Sequence, residues 1–237
     1  MSSNLITCQI LQDIAVLTFD CGENRLNNEF IEKFQEALNQ VERNEQVKVL
    51  LTTGKGKFYS NGLDLAWCAA NQNKLDEFQR KLTELTRRLL TFHLPTIAVL
   101  NGHAFAGGAF IAMCHDYIFM NEDRGWFCLN EIFLGFRLGD FFLSLLKCKV
   151  TSSHTQSQLM VFGHRFTAAE ALKNQIITNH FAVNRLLEES LKYAKQLAAE
   201  FINYDPKILK AMKEDLYRPV LSNQNELTFS SHVKSNL

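Results

Sequence analysis

Two apolar runs, residues 5–11 and 14–20, flank the polar dipeptide Gln12-Asp13 and are rich in Ile, Leu, Val and Thr. Such runs around a polar break predict two strands of a hairpin. The period then changes. Phe30, Phe34, Leu38 and Val41 recur at helical spacing behind Asn27-Asn28, residues suited to capping a helix start. Residues 47–52 form a buried-strand run ending at Gly54-Lys55-Gly56, and Leu75, Phe78, Leu82, Leu85 and Leu89 mark a second long amphipathic helix. A strand over Thr96–Leu100 leads through small residues at 101–109 into the apolar run 110–113, which reads as a helix. Short strands are expected at 116–120 and 126–129, and helices at 140–148, 152–162, 167–174, 186–201 and 205–216. Strands alternating with helices, followed by a helical tail, predict an α/β core over residues 1–185 and a C-terminal helical region and tail over 186–237.

Composition narrows the function classes. Hydrophobic residues make up 46% of the 237 and charged residues 21%, ordinary values for a globular protein long enough to bury a substantial core. A formal net charge of +0 argues against broad electrostatic binding to nucleic acid or anionic membranes. Cys8, Cys21, Cys68, Cys114, Cys128 and Cys148 are scattered, without the close pairs of zinc or redox motifs, so no metal site is expected. No run approaches the ~20 apolar residues of a membrane span. The polar start of the chain does not read as a signal peptide, and free thiols fit a reducing intracellular compartment.

Two glycine-containing turns follow strands: Phe58-Tyr59-Ser60-Asn61-Gly62-Leu63-Asp64 and Asn101-Gly102-His103-Ala104-Phe105-Ala106-Gly107-Gly108-Ala109. The second leads into a helix, where unpaired backbone N–H groups favour negative charge. It lacks the Gly-Lys-Ser/Thr of a phosphate-binding loop and the G-x-G-x-x-G of a dinucleotide site. Two such turns can instead supply one N–H each to a single oxyanion.

These turns do not stand alone. Phe58 to Leu65, Pro95 to Ala104 with Gly107-Gly108, His115-Asp116-Tyr117, and Asn130-Glu131 before Leu134-Gly135 occur in the order and spacing of the crotonase (enoyl-CoA hydratase/isomerase) superfamily, which the chain resembles over about residues 5–200. Residues 56–67 and Asp123-Arg124-Gly125 look most like the peroxisomal Δ3,Δ2-enoyl-CoA isomerases within it. The resemblance implies a ββα spiral core with a C-terminal helical trimerisation region, assembled as trimers or paired trimers. It also implies an acyl-CoA substrate, with coenzyme A part of that substrate and no separate cofactor. The thioester oxygen would be held by the N–H groups of Leu63 and Gly107. Ser60, Asn61, Gly62, Asp64, Ala106 and Phe110 would lie around the substrate.

One departure sharpens the chemistry. Family hydratases carry one carboxylate three residues after the second oxyanion donor and another at the position of Glu131; here the first position is Phe110. A phenyl ring cannot activate water, so hydration is disfavoured. Moving a double bond needs only one carboxylate, and Glu131 lies among Cys128, Leu129, Ile132, Phe133 and Leu134, whose apolar character should raise its pKa and strengthen it as a base. Hydratase-like activity and a non-catalytic acyl-CoA-binding or scaffold role remain alternatives.

Other expectations are subsidiary. Asp140 is a candidate helix N-cap or a second acid, and Asp64 a contact to coenzyme A or a stabiliser of its turn. His103 and Asp116 are read as structural. Lys55 and Lys57 are candidate phosphate contacts, and Phe110, Phe133, Phe136 and Trp67 candidate walls of an acyl pocket. Ser235-Asn236-Leu237 resembles the peroxisomal Ser-Lys-Leu address read by an import receptor, with Asn in the basic position. Together with the resemblance this points to the peroxisome, and otherwise to the cytosol.

Overall fold

A computed structural model describes residues 5–223. Strands β1 (Ile6–Leu11) and β2 (Ile14–Phe19) form the expected antiparallel hairpin, and β3 (Val49–Gly54) pairs parallel to β2. Between them runs α1 (Asn28–Glu42), capped by Asn27, whose side chain accepts from the Phe30 N–H. After β3 the chain forms a three-residue strand β4 (Phe58–Ser60), then α2 (Leu65–Ala70) and α3 (Leu75–Leu90). In α3, acidic Asp76 and Glu77 open the helix and Arg87 and Arg88 close it, complementing its dipole.

The same unit recurs. Strand β5 (Thr96–Leu100) is followed by β6 (His103–Phe105) and α4 (Gly107–Met113). Strand β7 (Tyr117–Asn121) is followed by β8 (Phe127–Cys128), a 3-10 turn at Glu131–Leu134, α5 (Asp140–Lys149), α6 (Ser153–Met160) and α7 (Ala168–Lys173). Each turn of this ββα spiral places one strand in a six-stranded sheet, ordered β1-β2-β3-β5-β7-β9, and one in a three-stranded sheet, ordered β4-β6-β8. The last strand of the large sheet is β9 (Asn179–Phe181). The hydrophobic pattern does not predict β4, α2, β6 or β9, because three to six residues are too few for a period to show.

Both faces of the large sheet are covered, as a mostly parallel sheet requires. Alternate residues divide between them: Leu50, Ala98, Leu100 and Met120 face α1, α3 and α4, whereas Val49, Leu51, Ile97, Val99 and Phe119 face α8 (Leu186–Glu200). Helix α8 is therefore a layer of the core.

Helices α9 (Pro206–Leu216) and α10 (Arg218–Leu221) complete the described chain. Lys213 of α9 is almost buried and donates to Asp116 Oδ2 at 2.6 Å and to the Leu94 carbonyl at 2.9 Å. Asp116 also accepts from the Thr96 N–H and hydroxyl, so it is structural, as expected. Removing one partner of a buried pair leaves the other charge uncompensated. Lys213→Met should destabilise the protein by about 3 kcal/mol, the low end of that effect because Asp116 keeps Thr96. Urea unfolding reads this directly; a loss within about 0.5 kcal/mol, typical of surface changes, would remove the pair as an anchor of α9.

Candidate active site

The three-stranded sheet positions the site. Strands β4, β6 and β8 run parallel, and their carboxyl ends deliver Asn61-Gly62-Leu63, Ala106-Gly107 and Leu129-Asn130-Glu131 to one place. Ligands of parallel sheets bind at that edge. A cleft of about 250 Å³ opens there, lined by Asn61, Leu63, Ala106, Gly107, Phe110, Asn130 and Glu131, and further by Arg25, Leu65, Leu82, Leu134, Phe136, Arg137, Leu138 and Phe142.

The two turns abut. Gly62 sits at φ +74°, and a Cβ there would lie 2.9 Å from Ala106 Cβ and 3.2 Å from the Gly107 nitrogen. Gly108 presses equally close, since its Cβ would lie 2.5 Å from the Ser60 carbonyl oxygen. The Leu63 strand edge is held by Leu26, which donates to the Gly62 carbonyl at 2.8 Å and accepts from the Asp64 N–H at 2.9 Å. That exchange leaves the Leu63 N–H itself out. Gly107 is the first residue of α4, so its N–H has no partner in the helix. Among the described residues neither amide donates to another group of the fold. Ala106 between them adopts φ +49°, ψ −122°, a conformation that costs an L-residue roughly 1–3 kcal/mol and clusters at functional sites.

Glu131 faces these turns across the cleft. It opens a 3-10 turn, whose three-residue period puts residues i and i+3 on one side. Glu131 and Leu134 accordingly line the cleft, while Ile132 and Phe133 point out, 50% and 70% exposed. The expected desolvation is present, but its source differs: ring and leucine walls from other elements, not the flanking Ile132 and Phe133. Burial pushes the Glu131 carboxyl up to about 7, opposed only by its own backbone N–H. Its Oε2 is buried and has no hydrogen-bond partner, an unusual state for a buried polar atom. It is the one carboxylate lining the cleft among the described residues.

The remaining expectations divide. Asn61, Leu63, Ala106, Gly107, Phe110 and Phe136 line the cleft. Ser60 does not: it is buried, its hydroxyl donates to the Asn24 carbonyl at 2.7 Å and accepts from the Gly62 N–H, so it braces the turn. Asp64 caps α2 through the Trp67 N–H at 3.0 Å and accepts from Asn27, which assigns it to the turn. Asp140 is neither N-cap nor cleft residue; Gly139 holds the cap position, and Asp140 is exposed one residue further on. Lys55 pairs with Asp20 at 2.7 Å and Lys57 lies over the Phe58 ring; neither lines the cleft, whose lining cations are instead Arg25 and Arg137. Phe133 is displaced to the surface and Trp67 packs on Phe78 at 5.2 Å. His103 sits among the rings of Phe58, Phe105 and Trp126, a structural position. Leu82 and Phe142 were visible in the sequence only as helix-face residues; nothing in the pattern says which of these cover a cleft.

The family model described as enoyl-CoA hydratase/isomerase matches residues 9–235. Enoyl-CoA delta isomerase 3 of Arabidopsis thaliana is 31% identical over 222 residues, covering 91% of this chain and 92% of that protein. The peroxisomal enoyl-CoA delta isomerase 1 of the same plant is 32% identical, covering 88% and 87%. Among solved structures, an enoyl-CoA hydratase/isomerase family protein from Pseudomonas syringae superposes with a TM-score of 0.84 at 23% identity, over 92% of this chain and 93% of that one.

Proposed function

Because the chain belongs to the enoyl-CoA hydratase/isomerase family, we propose that it is a Δ3,Δ2-enoyl-CoA isomerase of unsaturated fatty-acid β-oxidation. The observation that carries this is the single cleft carboxylate, Glu131, in a site where Phe110 fills the position of a hydratase's other carboxylate. Glu131 removes a proton from C2 of a 3-enoyl-CoA. The C–H electron pair spreads over the thioester carbonyl and C3–C4, and the charge gathering on the carbonyl oxygen is met by the Leu63 and Gly107 N–H groups. Glu131 then gives the proton to C4 as the C2–C3 double bond forms. A preorganised donor of this kind is worth roughly 2.7–4 kcal/mol in other enzymes.

Coenzyme A enters as part of the substrate, and Arg137 is the cation best placed for its phosphates: it lines the cleft and holds no ion pair among the described residues. Arg25 is already engaged by Glu23 at 2.6 Å. Incubation with 3-hexenoyl-CoA should yield 2-hexenoyl-CoA without 3-hydroxyacyl-CoA. Conversion of 2-hexenoyl-CoA to the 3-hydroxy product would make the protein a hydratase instead, and binding without turnover a scaffold.

The family reading also supplies partners and a place. Ile208, Met212 and Leu216, four residues apart on α9, are 58–67% exposed, a stripe suited to burial against further copies as a homotrimer or hexamer. Light scattering should then give three or six times the chain mass of 27.2 kDa; a monomer at micromolar concentration would count against it. No helix of the described residues is long and apolar enough to cross a membrane. Two relatives carry the word peroxisomal in their names, which supports the peroxisome. The Ser235-Asn236-Leu237 address lies outside the described residues, and a fluorescent reporter ending in it tests import.

A further inference from the structure

The proton shuttle and the oxyanion turns leave one buried polar chain without a task. Tyr59, Thr52 and His115 are each 1% exposed or less, and none of them lines the cleft. The Thr52 hydroxyl lies 2.8 Å from the Tyr59 hydroxyl and 2.8 Å from His115 Nε2, while His115 Nδ1 lies 2.9 Å from the Ile111 carbonyl. A carbonyl only accepts, so Nδ1 carries a proton. Burial holds the imidazole pKa down at about 4, so the ring is neutral and Nε2 is an acceptor. The Thr52 hydroxyl therefore donates to Nε2, and its oxygen accepts from Tyr59. The chain runs one way, from Tyr59 through Thr52 and His115 to the last turn of α4.

Its ends lie on the two elements that carry the oxyanion donors. Tyr59 is the middle residue of β4, just before the Leu63 turn, and His115 stands just past the end of α4, whose first residue is Gly107. Thr52, between them, belongs to β3 of the large sheet. At its N-terminal end α4 already presses on β4 through Gly108 and Ser60. One contact leaves a short helix free to pivot, and a second at its other end does not. We propose that Tyr59, Thr52 and His115 form a positioning relay that fixes the angle of α4 against β4, and with it the alignment of the Leu63 and Gly107 N–H groups on one thioester oxygen. This rests on the isomerase reading above. The relay touches no substrate; it acts through the two amides, where a displacement of ~1 Å costs on the order of 10²-fold in rate.

The test compares variants of the full chain, assayed well below the Tm of each. Thr52→Val keeps the shape of the side chain but removes its hydroxyl, which cuts the relay at its centre and leaves two buried polar atoms unpaired. Its kcat for 3-hexenoyl-CoA should fall about tenfold, a fraction of the cost of a full displacement, with KM and the affinity for saturated hexanoyl-CoA held within about twofold. Thr52→Ser restores the hydroxyl and should recover most of the turnover. Thr53→Val is the control, because Thr53 is the next residue of β3 and donates to the Val99 carbonyl at 2.9 Å, outside the relay. It should lower Tm and leave kcat unchanged. Tyr59→Phe cuts only the outer bond, should slow turnover by less, and serves if Thr52→Val does not fold. Native turnover in a folded Thr52→Val or Tyr59→Phe would overturn the relay. So would equal kcat losses in Thr52→Val and Thr53→Val, or a Thr52→Ser variant no faster than Thr52→Val. A native protein that does not isomerise 3-hexenoyl-CoA removes the isomerase reading and the relay with it; native turnover that no relay variant changes removes only the relay.

Discussion

Glu131→Gln should lower kcat by about 10⁴-fold, the upper end of the ~10²–10⁴ range for general acid–base catalysis, because one carboxylate serves both proton transfers. Substrate KM should change little, since Gln keeps the shape and the two amides that hold the thioester are backbone groups. The same carboxyl sets the pH dependence. Raised to about 7 by burial, it acts as a base only when ionised, so kcat/KM should climb with pH through about 7 and then level off. A profile already flat at pH 5 would contradict a desolvated base.

The substitution has a second effect of opposite sign. An unfolded Glu titrates near 4.5 and the folded Glu131 near 7. Between those values the unfolded chain has released a proton that the folded chain still holds. The contribution of Glu131 to stability is therefore greatest below about 4.5, falls as pH rises through about 7, and stays lower above it. The penalty is at most about 3–4 kcal/mol, at ~1.4 kcal/mol for each pH unit between 4.5 and about 7, and less where solvent reaches the cleft. Glu131→Gln should recover part of it, raising Tm at pH 8 but not at pH 4, by about 2–4 °C per kcal/mol recovered. Loss of turnover with gain of stability is what a strained functional group produces; an equal loss of both would mark Glu131 as a packing residue.

The sequence revealed this architecture unevenly, for physical reasons. Strands β1, β2, β3, β5 and β7 of the large sheet and the helices α1 and α3 are long enough for their periods to be read, and they match. The small sheet is built from strands of two or three residues, below any period, yet it is what brings Leu63, Gly107 and Glu131 together. Those three were legible only through resemblance to a family. Where local character alone was used, it misplaced residues: Lys55 and Phe133 have the right chemistry for a phosphate contact and an acyl wall, but the turns that carry them aim them elsewhere. Asp140 shows the same limit, since one residue of helix register separates a cap from an exposed carboxylate. The positive φ of Ala106 carries no sequence signal at all, because alanine is not a residue that advertises such a backbone.

The oxyanion donors are backbone groups and cannot be deleted, but their spacing can be disturbed. Gly62→Ala should lower kcat by about 10²–10³-fold, the cost of losing one oxyanion donor elsewhere. Its methyl group would meet Ala106 Cβ at 2.9 Å and the Phe105 carbonyl at 3.0 Å, forcing the Leu63 and Gly107 turns apart. Part of any damage would come merely from placing an L-residue at positive φ, roughly 1–2 kcal/mol of stability. Gly56→Ala separates the two effects. Gly56 has φ +79°, close to the +74° of Gly62, but a Cβ there meets nothing within 4 Å. Both variants should lose comparable stability from the backbone, with a further clash penalty at Gly62, and only Gly62→Ala should lose kcat. If the two lost activity alike, global loosening rather than the width of the oxyanion hole would be responsible. If Gly62→Ala kept its turnover, the two amides would not be acting together on one oxygen.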